Sequence, residues 1–361
     1  MPSIICSPNA YVQGRGELKK LCDYYGQTGK NGAYLIVDPF IDKTYHAELT
    51  GSFEAKKQPY VIAPFGGECS MSEINRHKAA LGKNDVVFGI GGGKTLDAAK
   101  AVAYYANLPV IIVPTAASTD APCSRLSVLY NDDHEFDRYL PLPRNPEMVV
   151  VDTEVIARAP VRFLMAGIGD GLATYYEAAA CQQSNAVTLT GGHCTLGGMA
   201  LAKLCRDTLF ADGLKAKAAC EAGVSTKALE NVTEANIYLS GVGFETGGLA
   251  CAHAVHNGLT VLKETHELLH GEKVAFGTVT QLVLENADGG ELEKVIRFQK
   301  ACGLPTTLKD LRLEGATDEH LMEAARAACA EGDTMVNMPF DVAPEDVLAA
   351  MKTADRIAKA L

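Results

Sequence analysis

Residues 85–106 read DVVFGIGGGKTLDAAKAVAYYA and contain the pattern that decides the fold. An apolar run ends in a cluster of glycines, and a segment with helical spacing of apolar residues follows at once. This order predicts a buried strand, a tight turn and a helix, which is the repeating unit of a parallel sheet. Glycines at such a turn let backbone N–H groups approach a phosphate, and the helix N-terminus favours its negative charge.

The glycine turn at residues 89–94, GIGGGK, matches neither of two common nucleotide-binding patterns. It does not meet the GxGxxG spacing of the usual dinucleotide fold. A Walker A loop would need glycine five positions before Gly93, where the chain has Phe88. From the residues alone, the turn is therefore either a phosphate cradle or a tight connection between a strand and a helix.

Similar apolar runs on both sides of this unit predict further strands. They are GAYLIVD (32–38), VIAPFGG (61–67), PVIIVPT (109–115) and MVVVD (148–152). Segments with helical patterns, such as SEINRHKAALG (72–82), lie between them. Apolar runs that alternate with helices are typical of a parallel sheet covered on both faces, which here indicates a Rossmann-like α/β domain.

The character of the chain changes near Pro160, after which almost no strand-like runs remain. Six later segments have helical patterns, and several end in glycine, as helices often do. These segments are ALAKLCRDTLFADG (200–213), KALENVTEANIYLSG (227–241), VAFGTVTQLVLENA (274–287), ELEKVIRFQKACG (291–303), DEHLMEAARAACAEG (318–332) and EDVLAAMKTADRIAKAL (345–361). We therefore predict an α/β domain over residues 1–160 and an all-α domain over residues 161–361.

Composition and charge exclude several classes of protein. With 361 residues, 47% of them hydrophobic, the chain is long enough for two domains with real cores. A net charge of −11 disfavours nucleic acid and anionic membranes as partners. No uncharged apolar run reaches the roughly 20 residues of a membrane helix. The eleven cysteines form no CxxC pair and no leader pattern is visible, so we expect reduced thiols and a cytoplasmic location.

Asp38 follows the first predicted strand and has two possible roles. An acid at the end of a strand early in such a sheet can bind a ribose 2′-OH and repel a 2′-phosphate, which would favour NAD over NADP. The acid usually follows the glycine loop by about 20 residues, whereas Asp38 precedes it. The alternative is an aspartate that begins a turn before Pro39.

Three residues in the second half form a candidate metal site. They are Asp170 in GIGDGLATYYEA, His253 in ETGGLACAHAVHNGL and His270 in HELLHGEKVAFG. One carboxylate and two imidazoles suit a divalent metal with an open coordination position. We expect Asp170 near the start of a helix and His270 at a helix end before Gly271. A carboxylate at a helix start and packed histidines remain alternatives, because spacing alone does not decide.

His253 and His256 are three residues apart on one predicted helix face. His256 is therefore a candidate for a proton relay, although a supporting or packing role fits equally well. A divalent metal of this kind polarises a bound alcohol, and a nicotinamide cofactor can accept the hydride that the alcohol releases. Together, the candidate metal site and the glycine turn favour an oxidoreductase.

At this point the chain resembles the metal-dependent, iron-containing type of alcohol dehydrogenases. The resemblance rests on five segments in order: PTAASTDAPCSRLSVLY (114–130), RNPEMVVVDTEVIARAPVRF (144–163), GIGDGLATYYEA (167–178), GFETGGLACAHAVHNG (243–258) and HGEKVAFGT (270–278). It implies an NAD-binding α/β domain and a helical domain with the site in the cleft between them, the architecture of dehydroquinate synthase. It also implies a homo-oligomer, often an octamer.

The resemblance also implies roles for individual residues. Asp170, His253 and His270 correspond to the metal ligands, with His253 also at the substrate. Asp120 corresponds to a catalytic residue that contacts the polyol, and Phe244 to a pocket wall. The positions that correspond to cofactor contacts are Asp38 for the ribose, Gly92, Gly93 and Lys94 for the pyrophosphate, and Thr115, Ser118, Ser124, Leu126 and Tyr130.

One position departs from the pattern of the iron-using relatives. Those relatives have a fourth ligand, a histidine one turn after the aspartate, where this chain has Thr174. Three protein ligands and an open position are typical of catalytic zinc, although manganese and iron stay possible.

The resemblance implies NAD-dependent oxidation of glycerol to dihydroxyacetone and its reverse, with related vicinal diols as further substrates. A lyase like dehydroquinate synthase and a glycerol-1-phosphate dehydrogenase are alternatives, and both need a cationic pocket. Lys263 and Lys273 are the nearest cations to the metal-site segments, and Asp120 would repel anions. A third alternative is a nucleotide-binding protein with a structural metal, but such sites normally have four ligands and often cysteines.

Overall fold

Six parallel strands form the main sheet, in the spatial order β1-β8-β5-β4-β2-β3. The computed structural model describes residues 1–361. The strands of this sheet are β1 (Ala10–Gly14), β2 (Ala33–Val37), β3 (Tyr60–Pro64), β4 (Val86–Gly91), β5 (Val110–Pro114) and β8 (Met148–Asp152). Strands β2, β4 and β8 are buried along their whole length, because helices cover both faces of the sheet. The predicted Rossmann-like sheet is confirmed.

Two features of this part of the chain were not predicted. The edge strand β1, with the sequence AYVQG, pairs with β8. The strands β6 (Leu126–Tyr130) and β7 (Phe136–Pro141) form a separate antiparallel hairpin. Strand β7 is mostly exposed and carries charges, so it lacks the apolar run that reveals a buried strand.

α-Helices connect the strands of the sheet and form most of the chain after it. Those in the sheet region are α1 (Leu21–Tyr25), α2 (Pro39–Lys56), α3 (Met71–Ala80), α4 (Gly93–Ala106) and α5 (Thr153–Arg158). Those that follow are α6 (Val161–Ser184), α7 (Leu196–Glu221), α8 (Lys227–Glu234), α9 (Ser240–Gly247), α10 (Cys251–Leu259), α11 (His270–Leu284), α12 (Gly289–Cys302), α13 (Asp318–Ala328) and α14 (Pro344–Ala360). No strand follows residue 152, so the predicted helical C-terminal region is confirmed.

The boundary at residue 160 stays a prediction. Helix α6 begins at Val161, directly after Pro160. However, the largest apolar core contains Ile36 and Val87 from the sheet together with Ile168 and Leu209 from the helices. The two parts therefore share one core where they meet.

The strand order creates a crevice at the carboxyl ends of β2 and β4. From β2 the chain moves to the edge strand β3, and after β4 it moves the other way to β5. Such a reversal in a parallel sheet is the usual place for a nucleotide. No helix of the chain combines the length and the apolar character needed to cross a membrane.

Candidate active site

Asp170, His253 and His270 come together although 100 residues separate the first from the last. The potential ligand atoms of the three side chains all lie within 4.8 Å of one another. The Nε2 atoms of His270 and His253 lie 3.2 and 3.5 Å from Oδ1 of Asp170. Asp170 and His253 are buried, and His270 is half-buried. A carboxylate and two imidazoles on three helices form a donor set that fits a divalent metal.

Two details of the predicted metal site are wrong. Asp170 lies in the middle of α6, not near a helix start. His270 begins α11 instead of ending a helix, and Gly271 lies inside that helix. A Cβ atom on Gly271 would lie 1.8 Å from the carbonyl oxygen of Ala166. This glycine therefore permits the close crossing of α6 and α11 that brings Asp170 beside His270.

Glu177 supports His253 and was missed by the sequence reasoning. Its Oε2 lies 2.6 Å from Nδ1 of His253, and its Oε1 accepts the backbone N–H groups of Ala250 and His253. The buried carboxylate thus fixes the proton on Nδ1 and leaves the lone pair of Nε2 for a metal. Glu177 is seven residues after Asp170, two turns along one face of α6, and this spacing was the available signal.

His270 is supported by a chain of hydrogen bonds. Its Nδ1 lies 2.9 Å from Nε2 of His256, and Nδ1 of His256 lies 3.0 Å from Oδ1 of Asn257. Nδ2 of Asn257 in turn donates to the carboxylate of Asp333. If Nε2 of His270 binds a metal, each ring in this chain donates from Nδ1. The contact between His256 and His270 supports the alternative in which His256 orients His270.

Asp120 lies in the loop after β5 and faces the same cluster. Its backbone N–H donates to Oδ2 of Asp170 at 3.2 Å, and its Oδ2 accepts the hydroxyl of Ser240 at 3.0 Å. Burial and the nearby charge of Asp170 raise the pKa of the Asp120 carboxyl well above its ordinary value. Phe244 is buried four residues after Ser240 on α9, on the same side of that helix.

Opposing charges set the protonation of the cluster. Burial acts to raise the pKa of Asp170, but His270 and His253 hold it well below the ordinary value. Burial acts to lower the pKa of His253, but Glu177 and Asp170 raise it well above the ordinary value. The cluster therefore favours positive charge between its carboxylates, which is what a bound cation supplies.

The predicted pyrophosphate loop lies in the crevice at the carboxyl end of β4. Gly92 precedes α4 and Gly93 begins it, and a Cβ atom on either residue would point into open space. Gly91 has φ +154°, and a Cβ atom there would meet Thr95 and Asp38. Backbone N–H groups at this helix start are free to bind an anion.

Asp38 and Thr115 flank this loop. The backbone N–H of Asp38 donates to Ile90, and that of Thr115 donates to Gly91. Oδ1 of Asp38 accepts the N–H groups of Phe40 and Ile41, so this residue caps α2. Asp38 therefore begins α2 directly before Pro39, which is close to the predicted role of an aspartate that begins a turn. Its position beside the glycine loop is also compatible with a ribose contact.

Lys94 and Tyr130 lie side by side near the loop. Nζ of Lys94 lies 4.9 Å from the centre of the Tyr130 ring and 2.6 Å from Oε2 of Glu68. Glu68 also contacts His134, at the tip of the hairpin, through Nδ1 at 2.8 Å. Burial and the charge of Glu68 raise the pKa of Tyr130 to about 12. Sequence reasoning missed Glu68, which is not part of any motif.

The other predicted cofactor residues are less closely grouped. Ser124 is buried, and its hydroxyl donates to the carbonyl oxygen of Ala121 at 3.0 Å and lies 3.3 Å from Nζ of Lys100. Ser118 is half-buried in the loop after β5, and Leu126 is half-buried at the start of β6. Their cofactor contacts stay predictions.

The chain is similar to known proteins over nearly its full length. A profile of the family described as iron-containing alcohol dehydrogenase matches residues 8–153. A glycerol dehydrogenase of Escherichia coli O6:H1 is 52% identical, covering 99% of this chain and 97% of its own. The crystal structure of glycerol dehydrogenase from Schizosaccharomyces pombe has a TM-score of 0.95 at 38% identity, over 99% and 92% of the chains.

A second solved structure is similar over its whole length. It is that of a probable glycerol dehydrogenase from Sinorhizobium meliloti 1021, with a TM-score of 0.93 and 41% identity over 100% of both chains. Identity at this level over nearly the full chain shows the family. The chain therefore belongs to the iron-containing alcohol dehydrogenase family.

Proposed function

We propose that this chain oxidises glycerol to dihydroxyacetone with NAD, catalyses the reverse reaction, and accepts related vicinal diols. The observation that carries the proposal is the cluster of Asp170, His253 and His270 with Asp120 against it. The relatives named glycerol dehydrogenase support the choice of substrate. The nearby glycine loop in the crevice between β2 and β4 supports a dinucleotide cofactor.

Asp170, His253 and His270 would hold the metal, and zinc is the ion we propose. Three protein ligands with an open position suit catalytic zinc, and Thr174 provides no fourth nitrogen ligand. When bound, the metal supplies Lewis-acid polarisation of a hydroxyl oxygen, which favours loss of its proton. Glu177 keeps Nε2 of His253 available for this role.

Asp120 would bind a second hydroxyl of the polyol, because a carboxylate accepts hydrogen bonds from such groups. Phe244 would form an apolar wall of the pocket. Lys94 and the N–H groups at Gly92 and Gly93 would bind the pyrophosphate. These contacts would orient the carbon that loses hydride towards the nicotinamide, which accepts it when bound.

Asp38 would contact the adenosine ribose, and the remaining proposed cofactor contacts are in the loops after β5 and along β6. They are Thr115, Ser118, Ser124, Leu126 and Tyr130. A carboxylate at the ribose would disfavour the 2′-phosphate of NADP.

Substrates that carry phosphate or carboxylate fit this site less well. The carboxylates of Asp120 and Glu177 lie in or directly behind the cluster. Lys273 is close enough for its charge to lower the pKa of His256, but burial lowers the pKa of Lys273 itself. A lyase like dehydroquinate synthase and a glycerol-1-phosphate dehydrogenase are therefore disfavoured.

The proposal is tested by measuring NADH formation from glycerol before chelation, after chelation and after zinc add-back, with manganese and iron(II) compared. Zinc-restored turnover is expected. Absence of turnover with glycerol and simple diols, despite bound NAD and bound zinc, would contradict the proposal. It would favour phosphorylated substrates or lyase chemistry.

We further propose a cytoplasmic homo-oligomer. All eleven cysteines are unpaired, which suits a reducing compartment. A homo-oligomer is the assembly that the resemblance to this family implies. Light scattering would give the number of subunits.

A further inference from the structure

A π-helical turn, Ala235–Leu239, lies between α8 and α9. Such turns accommodate an extra residue and occur often at functional sites. Its buried Asn236 donates from Nδ2 to the carbonyl oxygen of Ala117 at 2.9 Å and to that of Leu164 at 3.1 Å. The turn thereby ties the loop that carries Asp120 to helix α6.

Ser240 follows this turn and begins α9. Its Oγ donates to Oδ2 of Asp120 at 3.0 Å and lies 2.8 Å from Oγ1 of Thr174. Ser240 and Thr174 are fully buried. The Ser240 hydroxyl donates its single proton to Asp120, so its oxygen accepts the proton of Thr174. The three groups form an ordered chain from Thr174 through Ser240 to Asp120.

Glycine residues permit the close approach that this chain of hydrogen bonds needs. A Cβ atom on Gly241 would lie 2.9 Å from the carbonyl oxygen of Asp120 and 2.8 Å from Cβ of Cys123. A Cβ atom on Gly243 would lie 2.8 Å from Cγ2 of Thr174. Helix α9 therefore packs directly on the Asp120 loop and on α6.

The two carboxylate oxygens of Asp120 have different surroundings. Oδ2 accepts the Ser240 hydroxyl. Oδ1 accepts no hydrogen bond from the protein. It is also not one of the fully buried polar atoms without a partner, so it is still accessible. Oδ1 is therefore the oxygen that remains for a substrate hydroxyl.

We propose that Ser240, supported by Thr174, is a positioning residue that sets the preference for vicinal diols over alcohols with one hydroxyl. The inference rests on the proposed function, in which Asp120 binds the second hydroxyl of the polyol. By holding Oδ2, the Ser240 hydroxyl fixes the rotation of the carboxylate and directs Oδ1 at that hydroxyl. Thr174 in turn orients Ser240 through the contact between their hydroxyls.

The test compares Ser240→Ala and Thr174→Val with the control Thr246→Val. Thr246 is also on α9 and fully buried, but its hydroxyl has no hydrogen-bond partner. Each variant is assayed with glycerol and with 2-propanol, and its zinc content and melting temperature are measured. Thr174→Val keeps the volume of the side chain, so it serves if Ser240→Ala does not fold.

We expect Ser240→Ala to raise KM for glycerol about tenfold, the scale of a lost hydrogen bond to a charged group. The value of kcat should change less than about threefold, and kcat/KM for 2-propanol should change little. Thr174→Val should show the same pattern more weakly, and Thr246→Val should match the wild type. If 2-propanol is not turned over, the split between KM and kcat for glycerol decides.

An unchanged KM for glycerol, or equal losses of kcat/KM for both alcohols, would overturn the proposal. Failure of the proposed function has a different signature, because the wild type itself would then not oxidise glycerol.

Discussion

At the scale of single residues, Glu177 determines how His253 can act. Its carboxylate contacts Nδ1 of that ring and two backbone N–H groups at the start of α10. One buried side chain therefore fixes the rotation of the imidazole, its tautomer and the position of the helix that carries it. Glu177 is not itself a candidate ligand, yet the candidate metal site depends on it.

Replacing Glu177 with glutamine should weaken zinc binding by roughly 10–100-fold. A neutral amide at Nδ1 makes Nε2 of His253 less basic and therefore a weaker metal ligand. Competition with a chromophoric chelator measures the affinity. Glu285→Gln is the matched control, since Glu285 lies close enough to Glu177 to be affected by its charge but contacts Gln281 instead of a histidine. Equal affinities in the wild type and Glu177→Gln would show that the contact does not tune the site.

The candidate ligands were easier to recognise in the sequence than the residues that support them. Asp170, His253 and His270 have side chains that bind metals, and each lies in a recognisable segment. Glu177, Ser240 and Asn236 act through contacts between residues far apart in the chain. For Glu177 the only signal in the sequence was its spacing of seven residues from Asp170. Ser240 and Asn236 depend on helix crossings and on a π-helical turn, which leave no periodic signal.

At the scale of elements, α2 begins at the crevice where a nucleotide would lie. Its cap, Asp38, accepts two backbone N–H groups of the first turn. The same side chain is the candidate ribose contact. Asp38 would therefore contribute both to the stability of α2 and to the choice between NAD and NADP. Asparagine caps a helix as well as aspartate but lacks the charge.

The two roles of Asp38 can be separated by two variants. Asp38→Asn should leave the free energy of unfolding nearly unchanged but reduce the preference of NAD over NADP, measured as the ratio of kcat/KM values. Asp38→Ala should reduce the same preference and also lose about 1 kcal/mol of stability. An unchanged cofactor ratio in both variants would argue against a ribose contact.

Helix α3 packs on β2 through a buried histidine, His77, which contacts Tyr34 and Glu73. Burial lowers the pKa of His77, Arg76 adds to this effect and Glu73 opposes it. A group whose pKa is lower in the folded chain binds protons more readily when unfolded, so folding loses stability as the pH falls. The loss begins near the ordinary histidine value of about 6.5.

The stability that depends on His77 should therefore fall between about pH 7.5 and pH 5.5, so His77→Gln should lose less melting temperature than the wild type over this range. Differential scanning fluorimetry of both proteins at the two pH values measures it. Glu73, whose pKa is also lowered, titrates at more acidic pH in both proteins and does not disturb the comparison. Equal falls in the two proteins would exclude His77 as a source of the acid sensitivity.

Strands and helices were predicted correctly where one sequence pattern, such as a continuous apolar run, was clear. The strands β2, β4, β5 and β8 were predicted because burial on both faces requires continuous apolar runs. The start of α11 was misplaced because Gly271 was interpreted as a helix stop, whereas its small size serves the crossing with α6. The sequence alone does not show whether a glycine ends a helix or permits two helices to cross closely.

At the scale of the whole molecule, the metal ligands join three helices that already pack together. Ala173 on α6, Ala252 on α10 and Val274 on α11 form a small buried cluster beside the ligands. Chelation should therefore leave the far-UV circular dichroism near 25 °C unchanged. It should lower the melting temperature, because a ligand at a hundredfold its Kd stabilises the folded state by about 2.7 kcal/mol.

Loss of helical signal on chelation would contradict this expectation and indicate a structural metal. Zinc add-back is the control, and it should restore the melting temperature.

The overall plan was predictable because composition and periodicity change near Pro160, from alternating strands and helices to helices alone. The interface between the α/β part and the helical part was not predictable, because it depends on a core that contains residues from both parts. The crevice between β2 and β4 depends on strand order, which apolar runs do not specify.

The position of β1 has a consequence during synthesis on the ribosome. This edge strand ends at Gly14, and its only strand partner, β8, begins at Met148. At about 5–20 residues per second, the ribosome needs on the order of ten seconds to supply that partner. Throughout this interval the backbone of β1 stays unpaired in the nascent chain. During this interval the unpaired backbone of β1 is open to pairing with another chain, and a chaperone that covers the segment would prevent this.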